Sequence, residues 1–186
     1  STENWNRPVY EVKALMNLFK YYFNKKLTQL HEGNVNVSII GDIDPFPKII
    51  KKYIQNLVDL TKDNNGMHLT LALNYGGRAE IVRATKRLGI KLLQKKISLE
   101  QIDEETFAEN LDTGKEPYPD LIVRTAGERR LSNFLLWQSA YSELHFSEKS
   151  WPDFSKNDLE LALSDYYLRT RKFGSLSTKK SFKNLL

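Results

Sequence analysis

Apolar residues recur along this chain with two different periods, and the alternation of these periods predicts the secondary structure. Spacings of three and four residues predict helices, and short apolar runs bounded by turn residues predict strands. The predicted helices span residues 9–32, from Pro45 and Pro47 to 61, 76–94, 97–111 (a short helix or a pair of turns), 132–141 and 156–173. The predicted strands span residues 35–40, 69–74, 121–124 and 144–146.

Strands that alternate with helices predict an α/β fold, in which a largely parallel central sheet is flanked by helices. A length of 186 residues is enough for one domain with a sizeable core. No internal repeat or linker interrupts the pattern. We therefore expect one domain over residues 1–174, followed by a basic tail over residues 175–186.

The net charge of the chain bears on the kinds of molecule that the protein could bind. The formal net charge is +5 and the sequence pI is about 9.2. These values suit a nucleic acid, an anionic membrane surface or a phosphorylated substrate, and they equally suit a mildly basic protein with none of these partners. The basic residues are scattered over the predicted helices without a nucleic-acid-binding motif, so we expect no nucleic-acid partner. The absence of cysteine excludes disulfides and thiolate metal sites and is compatible with a cytoplasmic protein.

A polar cluster directly follows the apolar run of residues 121–123, at the predicted carboxyl end of a strand, where open α/β sheets bind ligands. Arg124 and Arg130 each carry a planar fork of donors that can hold a phosphate through paired hydrogen bonds. Ser132 adds a hydroxyl donor, and the predicted helix from residue 132 adds backbone N–H groups and a favourable dipole. The sequence therefore predicts a site for an anionic, phosphorylated ligand.

Four motifs in order resemble the cis-prenyltransferases, and most closely bacterial undecaprenyl diphosphate synthase. They are Ser-Thr-Glu-Asn-Trp-Asn-Arg-Pro at 1–8, Asn-Tyr-Gly-Gly-Arg at 74–78, the run from Arg-Thr-Ala-Gly-Glu to Trp-Gln at 124–138, and Glu-Leu-His-Phe at 143–146 followed by Trp-Pro-Asp-Phe at 151–154. Any one of these motifs alone could arise by chance, whereas four of them in this order are a specific sign of the family. The resemblance covers residues 1–174.

The resemblance implies a transferase that condenses isopentenyl diphosphate onto farnesyl diphosphate with cis double bonds. The implied product is a long-chain polyprenyl diphosphate, undecaprenyl diphosphate in bacteria, for the lipid carrier of cell-wall synthesis. In such an enzyme Arg124, Arg130 and Ser132 hold the diphosphate of isopentenyl diphosphate, in agreement with the anion site, and Glu143 is associated with a Mg²⁺ cofactor. The resemblance also implies a cytoplasmic homodimer that touches the inner face of the cell membrane during product release.

The first motif supplies the residues that the resemblance places beside the reacting centre. Ser1, Asn4 and Arg7 correspond to catalytic positions, with Asn4 suited to orient or relay the proton that isopentenyl diphosphate loses. Trp5 and Glu11, together with Arg7, correspond to substrate-binding positions in a mobile region.

The apolar face of the first predicted helix has two interpretations. Periodicity alone indicates an ordinary core face, whereas the resemblance implies a wall of a tunnel for the growing prenyl chain. The residues that would line this tunnel are Leu15, Met16, Phe19, Phe23 and, near its floor, Met67.

The chain departs from the family in one respect. The family's Asp-Gly-Asn-Gly-Arg-Trp motif, whose aspartate is its central catalytic residue, is absent from these 186 residues. We expect a segment outside this sequence to carry the motif; the alternatives are a non-catalytic prenyltransferase-like subunit and an inactive fragment. A purely structural subunit has no need of Arg124, Arg130, Ser132 and Glu143, which argues against the first alternative.

Other conspicuous residues have simpler interpretations. The pair Gly76-Gly77 is more typical of chain geometry than of a phosphate loop, and Arg78 more often forms an ion pair on its helix than a site contact. His31, His68 and His145 show no metal-ligand spacing. The lysine-rich tail is either a solvated end or a contact with anionic lipid.

Overall fold

Helices and strands alternate over residues 9–93 as the sequence predicts. The structure is a computed structural model that describes residues 1–169. Contacts between Cα atoms divide the chain into two units, residues 1–116 and the residues from Pro117 onward, which are described separately. The expectation of one domain over residues 1–174 stays a prediction. The predicted tail over residues 175–186 and the last residues of the predicted helix 156–173 lie outside the described residues.

The first unit contains four α-helices and two strands in its described elements. A 3₁₀ turn over Thr2–Asn6 is followed by α1 (Val9–Glu32), β1 (Asn36–Ile40), α2 (Lys48–Thr61), β2 (His68–Ala72), α3 (Gly77–Leu93), a second 3₁₀ turn (Leu99–Gln101) and α4 (Glu104–Glu109). The bounds of α1 agree with the prediction because Pro8 precedes the helix and Gly33 follows it. The stretch predicted over residues 97–111 consists of the second 3₁₀ turn and the short helix α4 rather than one continuous helix.

The second unit contains β3 (Leu121–Arg124), β4 (Glu143–Phe146), a 3₁₀ turn (Trp151–Asp153) and α5 (Lys156–Leu168). The helix predicted over residues 132–141 is wrong: this stretch consists of turns. Ser132, Asn133 and Leu135 have φ of +48°, +63° and +47°. A left-handed backbone at three of four consecutive residues cannot continue a right-handed helix, so the apolar spacing there reflects burial of a turn rather than a helix face.

Both strand pairs are parallel, as predicted for an α/β fold. β1 pairs with β2 from Asn36 opposite His68 to Ile40 opposite Ala72. β3 pairs with β4 from Leu121 opposite Glu143 to Arg124 opposite Phe146. Parallel strands need a crossover connection, which α2 supplies in the first pair.

The core of the first unit lies between α1, α2 and β1. The buried face of α2 consists of Ile50, Ile54, Leu57 and Thr61, at spacings of three and four. Thr61 is fully buried, and its Oγ1 donates to the Leu57 carbonyl at 2.8 Å and accepts from the Val37 N–H at 3.1 Å. This hydroxyl therefore satisfies a strand N–H and links α2 to β1.

A buried polar network closes the carboxyl end of β1. The Asp112 carboxylate accepts from the Gly41 N–H at 3.1 Å and pairs with the guanidinium groups of Arg83 and Arg87. Its own backbone N–H donates to Glu80 Oε1 at 3.0 Å. Burial raises the pKa of Asp112, but the hydrogen bonds from the two arginines outweigh it and leave this pKa below its usual value.

Gly41 tests how tightly this end of β1 is packed. Its φ is +102°, and a Cβ built on it would collide with the carbonyl oxygen of Leu73. We expect Gly41→Ala to lower the free energy of unfolding by at least about 2 kcal/mol, because both the backbone and the neighbouring strand end must shift. Urea denaturation followed by circular dichroism measures this change.

Gly89→Ala is the matched control. Gly89 lies within α3, and no atom of residues 1–169 outside its own helix turn lies within 4 Å of the position that its Cβ would take. Alanine is favoured over glycine in a helix by about 0.5–1 kcal/mol, so this variant should be at least as stable as the parent. Equal destabilisation by both substitutions would contradict the packing described for Gly41.

Candidate functional site

The predicted anion cluster lies at the carboxyl end of β3 in the second unit. Arg124 is the last residue of this strand, and its guanidinium Nη2 donates to Ser132 Oγ at 3.4 Å. The Arg124 Nε is buried and has no hydrogen-bond partner among residues 1–169. A buried donor without a partner costs about 1–3 kcal/mol, so this nitrogen is suited to an acceptor that a ligand would bring.

Arg130 and Arg124 share a cavity of about 190 Å³. Its other lining residues are mainly apolar, namely Ile122, Val123, Thr125, Leu131, Phe134, Leu144 and Phe146. Two guanidinium groups beside apolar side chains attract an anion more strongly than they would in bulk water, because the effective dielectric constant there is lower. Arg130 also forms an ion pair with Glu128, so an anion would compete with this carboxylate. Ser132 lies outside the lining and reaches the cavity through Arg124.

Backbone hydrogen bonds hold the loop between Arg124 and Arg130. The N–H of Ala126 donates to the Lys149 carbonyl at 2.7 Å, and that of Gly127 donates to the Ser147 carbonyl at 2.9 Å. Both residues have positive φ, +65° and +68°. The expected helix dipole is absent because residues 132–141 form no helix, so the side chains and this loop carry the site.

Arg129, between the two cavity residues in sequence, lies elsewhere. Its guanidinium is largely exposed and is 3.5 Å from Glu148 Oε1. Both arginines are largely exposed, with exposed side-chain fractions of 65% for Arg130 and 74% for Arg129, but Arg130 lines the cavity and Arg129 does not.

Glu143, the expected metal-associated residue, is held by a cation of the protein. Its Oε2 accepts from Arg169 Nη1 at 2.8 Å, and Arg169 also pairs with Asp165 at 2.5 Å. These two carboxylates raise the pKa of Arg169, and the hydrogen bonds from Arg169 and His145 lower the pKa of Asp165. The Glu143 carboxylate thus faces a positive group of the protein, as it would face a metal ion.

Glu143 fits Mg²⁺ only if a bound ligand supplies further oxygen atoms to the ion. Within residues 1–169, no group of three or more His, Asp or Glu side chains could hold a metal ion. Mg²⁺ commonly takes one or two protein carboxylates and completes its shell with water and substrate phosphate. Glu143 meets that requirement if the ion displaces or shares the Arg169 contact.

The first unit brings several of the other expected residues to one apolar cavity of about 90 Å³. Ser1, Asn4 and Trp5 line it from the first 3₁₀ turn, and Leu15, Met16 and Phe19 line it from α1. The Ser1 hydroxyl donates to Asn4 Oδ1 at 2.5 Å. A hydrogen-bonded polar pair in the lining of an apolar cavity is the arrangement expected beside a reacting centre with a hydrocarbon tail.

The remaining expected residues lie outside this lining. Arg7 and Glu11 form an exposed i,i+4 ion pair at 3.7 Å. Phe23 is buried and lines a second apolar groove of about 160 Å³, which shares Phe19 with the first cavity. Met67 is 62% exposed and lines neither of these two spaces, so its assignment to the tunnel floor stays a prediction without support from its position.

The structure adds Asn74 to the candidate site. Asn74 is buried with φ of +47°, lines the apolar cavity, and accepts from Trp5 Nε1 at 2.8 Å. Its Nδ2 donates to the Asp42 carbonyl at 2.7 Å, which fixes the orientation of the amide. Gly76 has an extended φ of −157° and Gly77 begins α3. The sequence pattern drew attention to the two glycines, although the strained residue of this motif is the asparagine before them.

Comparison with known proteins decides the family. The sequence profile of the family described as "Putative undecaprenyl diphosphate synthase" matches residues 1–174. The chain belongs to this family of prenyltransferases. Its sequence is 49% identical to an isoprenyl transferase of Clostridium perfringens over 176 residues, which is 95% of this chain and 70% of the relative. It is 42% identical to the ditrans,polycis-undecaprenyl-diphosphate synthase ((2E,6E)-farnesyl-diphosphate specific) of Legionella pneumophila, over 95% of this chain and 74% of the relative.

Solved structures agree with the sequence relatives. The chain superposes on lavandulyl diphosphate synthase from Lavandula x intermedia, solved with dimethylallyl diphosphate, with a TM-score of 0.90 and 37% identity over 94% of this chain and 75% of that one. For a probable undecaprenyl diphosphate synthase from Campylobacter jejuni the TM-score is 0.81 with 33% identity, over 94% and 79% of the two chains. The resemblance, the α/β fold and membership in an enzyme family are confirmed, and these relatives favour an enzyme over a non-catalytic subunit.

Trp5 and Asn74 should be energetically coupled. Trp5→Phe keeps an aromatic ring beside Phe46 but leaves the buried Asn74 oxygen without its donor. We expect a loss of about 1–2 kcal/mol in the free energy of unfolding and faster amide hydrogen exchange over residues 1–7. Asn74→Gly tolerates the positive φ and removes the same hydrogen bond. The double variant should therefore lose about 1 kcal/mol less unfolding free energy than the sum of the losses in the two single variants.

Trp151→Phe is the control, because Trp151 is largely exposed in the second unit. It should change stability by less than about 0.5 kcal/mol. Strictly additive effects of the Trp5 and Asn74 substitutions would show that the hydrogen bond does not hold the first turn.

Proposed function

We propose that this chain belongs to an enzyme that condenses isopentenyl diphosphate onto farnesyl diphosphate and builds a long-chain, cis-configured polyprenyl diphosphate, undecaprenyl diphosphate in a bacterium. The observation that carries the proposal is the cavity with Arg124 and Arg130, in which a buried guanidinium nitrogen has no partner in the part of the chain that the structure describes. Family membership and the printed names of the relatives support the same reaction.

The diphosphate of isopentenyl diphosphate binds at the Arg124–Arg130 cavity. Arg124 offers its buried Nε and its terminal nitrogens as paired donors, and Ser132 orients the guanidinium from outside. Arg130 adds a second positive charge when the anion replaces its contact with Glu128. Charge-assisted bonds of this kind contribute about 1.5–3 kcal/mol each.

The hydrocarbon tail of the allylic substrate binds in the apolar cavity of the first unit. Leu15, Met16 and Phe19 form its α1 wall. Each added isoprene unit buries five carbons, worth at most about 4 kcal/mol by area. A tail held this strongly leaves slowly, so we expect release of the product to be aided by detergent or membrane.

The reaction joins two carbon atoms and transfers no redox equivalents. The allylic carbon–oxygen bond breaks and its electron pair leaves with the diphosphate, the isopentenyl double bond attacks the allylic carbon, and a proton is lost to form the new double bond. Ser1 and Asn4, hydrogen-bonded to each other in the lining of the apolar cavity, are suited to orient the reacting group or relay that proton. Catalysis then rests mainly on positioning and charge stabilisation.

Glu143 would hold Mg²⁺ together with substrate phosphate and water. The bound ion would neutralise charge on the diphosphate.

We also propose a homodimer, supported by the large exposed apolar side chains of the second unit, among them Leu161, Tyr167 and Leu168. Sedimentation at twice the 21.6 kDa chain mass would support the dimer, and a single 21.6 kDa species at all concentrations would exclude it.

Within residues 1–169, no helix is both long enough and apolar enough to cross a membrane. We propose that the enzyme works in the cytoplasm and meets the membrane at its surface when the product leaves. This placement follows from the water-soluble diphosphate substrates and the lipid product of the proposed reaction.

Arg124→Ala should weaken isopentenyl diphosphate binding at least about tenfold, because it removes a charged donor and the orphaned nitrogen together. Isothermal titration of the chain with isopentenyl diphosphate measures the dissociation constant without requiring turnover. Prenyl transfer itself is measured by extracting the labelled product. This assay uses protein that carries the family's Asp-Gly-Asn-Gly-Arg-Trp motif.

Arg129→Ala is the control for Arg124→Ala. It removes the same charge from an exposed position beside the cavity residues, and we expect a change below about threefold. Equal weakening by both substitutions would show that only the net charge of the protein matters for binding. An unchanged dissociation constant for Arg124→Ala would contradict the proposed binding site.

Glu143→Gln should abolish the increase in diphosphate affinity that Mg²⁺ produces in the parent chain, by about tenfold or more, since the amide carries no charge for the ion. Titrations with and without Mg²⁺ give this difference. Glu148→Gln, at an exposed carboxylate of the same unit, should retain the full magnesium effect. A magnesium effect that survives in Glu143→Gln would assign the ion to other ligands.

A further inference from the structure

The loop between α2 and β2 contains the one Asn-Gly pair of this sequence, Asn65-Gly66. Both residues are exposed to solvent. Asparagine before glycine is chemically labile, because the glycine has no Cβ that would hinder its backbone nitrogen from approaching the asparagine side chain. The loop that leads into β2 therefore carries a residue that can change covalently without an enzyme.

The reaction open to this pair is deamidation. The Gly66 nitrogen gives its proton to a base in the solvent and bonds to Asn65 Cγ, while the Cγ–Nδ2 bond breaks and ammonia leaves. Water then opens the resulting succinimide ring at one of its two carbonyls, which leaves aspartate or isoaspartate at position 65. Ammonia is exchanged for water, and no atom is oxidised or reduced.

Asn34, in the connection between α1 and β1, holds both reacting groups. The Gly66 N–H donates to the Asn34 carbonyl at 3.0 Å, and Asn34 Nδ2 donates to Asn65 Oδ1 at 2.9 Å. Asn34 Oδ1 also accepts from the Asn65 backbone N–H at 3.1 Å. A Cβ on Gly66 would collide with the Asn34 carbonyl oxygen, so the two segments are in close contact.

These three hydrogen bonds oppose the reaction. The Gly66 nitrogen can attack only after its N–H leaves the Asn34 carbonyl, and the Asn65 amide must rotate away from Asn34 Nδ2 to present its Cγ. Hydrogen bonds of a surface loop break and re-form by local opening. The rate of deamidation in the folded chain should therefore follow the fraction of time that this loop is open.

We propose that Asn65 is a site of spontaneous deamidation whose rate Asn34 controls by keeping the loop closed. The change adds one negative charge and, in isoaspartate, one further carbon atom to the backbone of the loop that leads into β2. Chains in which the two segments separate are thereby altered irreversibly, whereas chains that stay closed are spared. The proposal does not depend on the proposed function.

Incubation of the whole chain in mildly alkaline buffer, with and without urea, tests the proposal. Mass spectrometry of the proteolytic peptide that contains residue 65 measures the conversion of amide to acid. We expect the urea-unfolded chain to react at least about tenfold faster than the folded chain, because the hydrogen bonds from Asn34 are then absent. Equal rates would overturn the control by the fold, and no reaction in urea would overturn the site itself.

Asn34→Gly locates the control. Glycine tolerates the φ of +55° at this position and removes both side-chain hydrogen bonds to Asn65. We expect at least about fivefold faster deamidation of the folded chain and an unchanged rate in urea. Gln55→Ala, which removes an exposed amide side chain of α2 with one hydrogen bond, should change the folded rate by less than about twofold. Equal acceleration by both substitutions would overturn the role of Asn34.

Two further measurements complete the test. Circular dichroism establishes that the Asn34→Gly chain is folded in the assay buffer, and the comparison of the parent chain with and without urea decides the proposal if it is not. Asn65→Gln should lose the reaction, because glutamine would have to form a larger ring. A mass gain that persists in this variant would assign the reaction to another residue of the peptide and would overturn the proposal. Isopentenyl diphosphate has no part in these assays, so failure of the proposed function leaves their result unchanged.

Discussion

The carboxylate of Asp112 is the interaction on which the first unit most depends. The carboxylate joins the N–H of Gly41, just after β1, to Arg83 and Arg87 of α3. The backbone N–H of Asp112 also donates to Glu80, which accepts from the Tyr75 hydroxyl. A buried carboxylate persists only when such partners compensate its lost hydration, and the lowered pKa of Asp112 shows that here they do.

The candidate reacting turn depends on the same end of the sheet. The Thr2 N–H donates to the Tyr75 carbonyl at 3.1 Å, and the Trp5 indole donates to Asn74 at 2.8 Å. Asn74 in turn is tied to Asp42, one residue beyond Gly41. A short 3₁₀ turn has little stability of its own, so these bonds to the ends of β1 and β2 determine where Ser1 and Asn4 lie against the apolar cavity.

The two units divide the proposed chemistry by its physical character. The first supplies an apolar cavity and groove along α1, suited to hydrocarbon, whereas the second supplies guanidinium groups and a carboxylate, suited to diphosphate and its metal ion. Catalysis of this kind needs few reactive side chains, because the leaving diphosphate carries the charge that must be stabilised. α1 contributes Leu15, Met16 and Phe19 to the lining of the hydrocarbon space.

Sequence by itself determined the elements whose signals are local. α1 was predicted between Pro8 and Gly33, β3 over residues 121–124, and Arg124 and Arg130 as an anion site at the end of that strand, because periodicity, turn residues and side-chain chemistry are all read along the chain. Only the tertiary structure decided the rest. Residues 132–141 have helical spacing but a left-handed backbone at Ser132, and Asn74 became a site residue through contacts with Trp5 and Asp42, 69 and 32 positions away. Such contacts depend on how distant segments pack, and no local pattern encodes that packing.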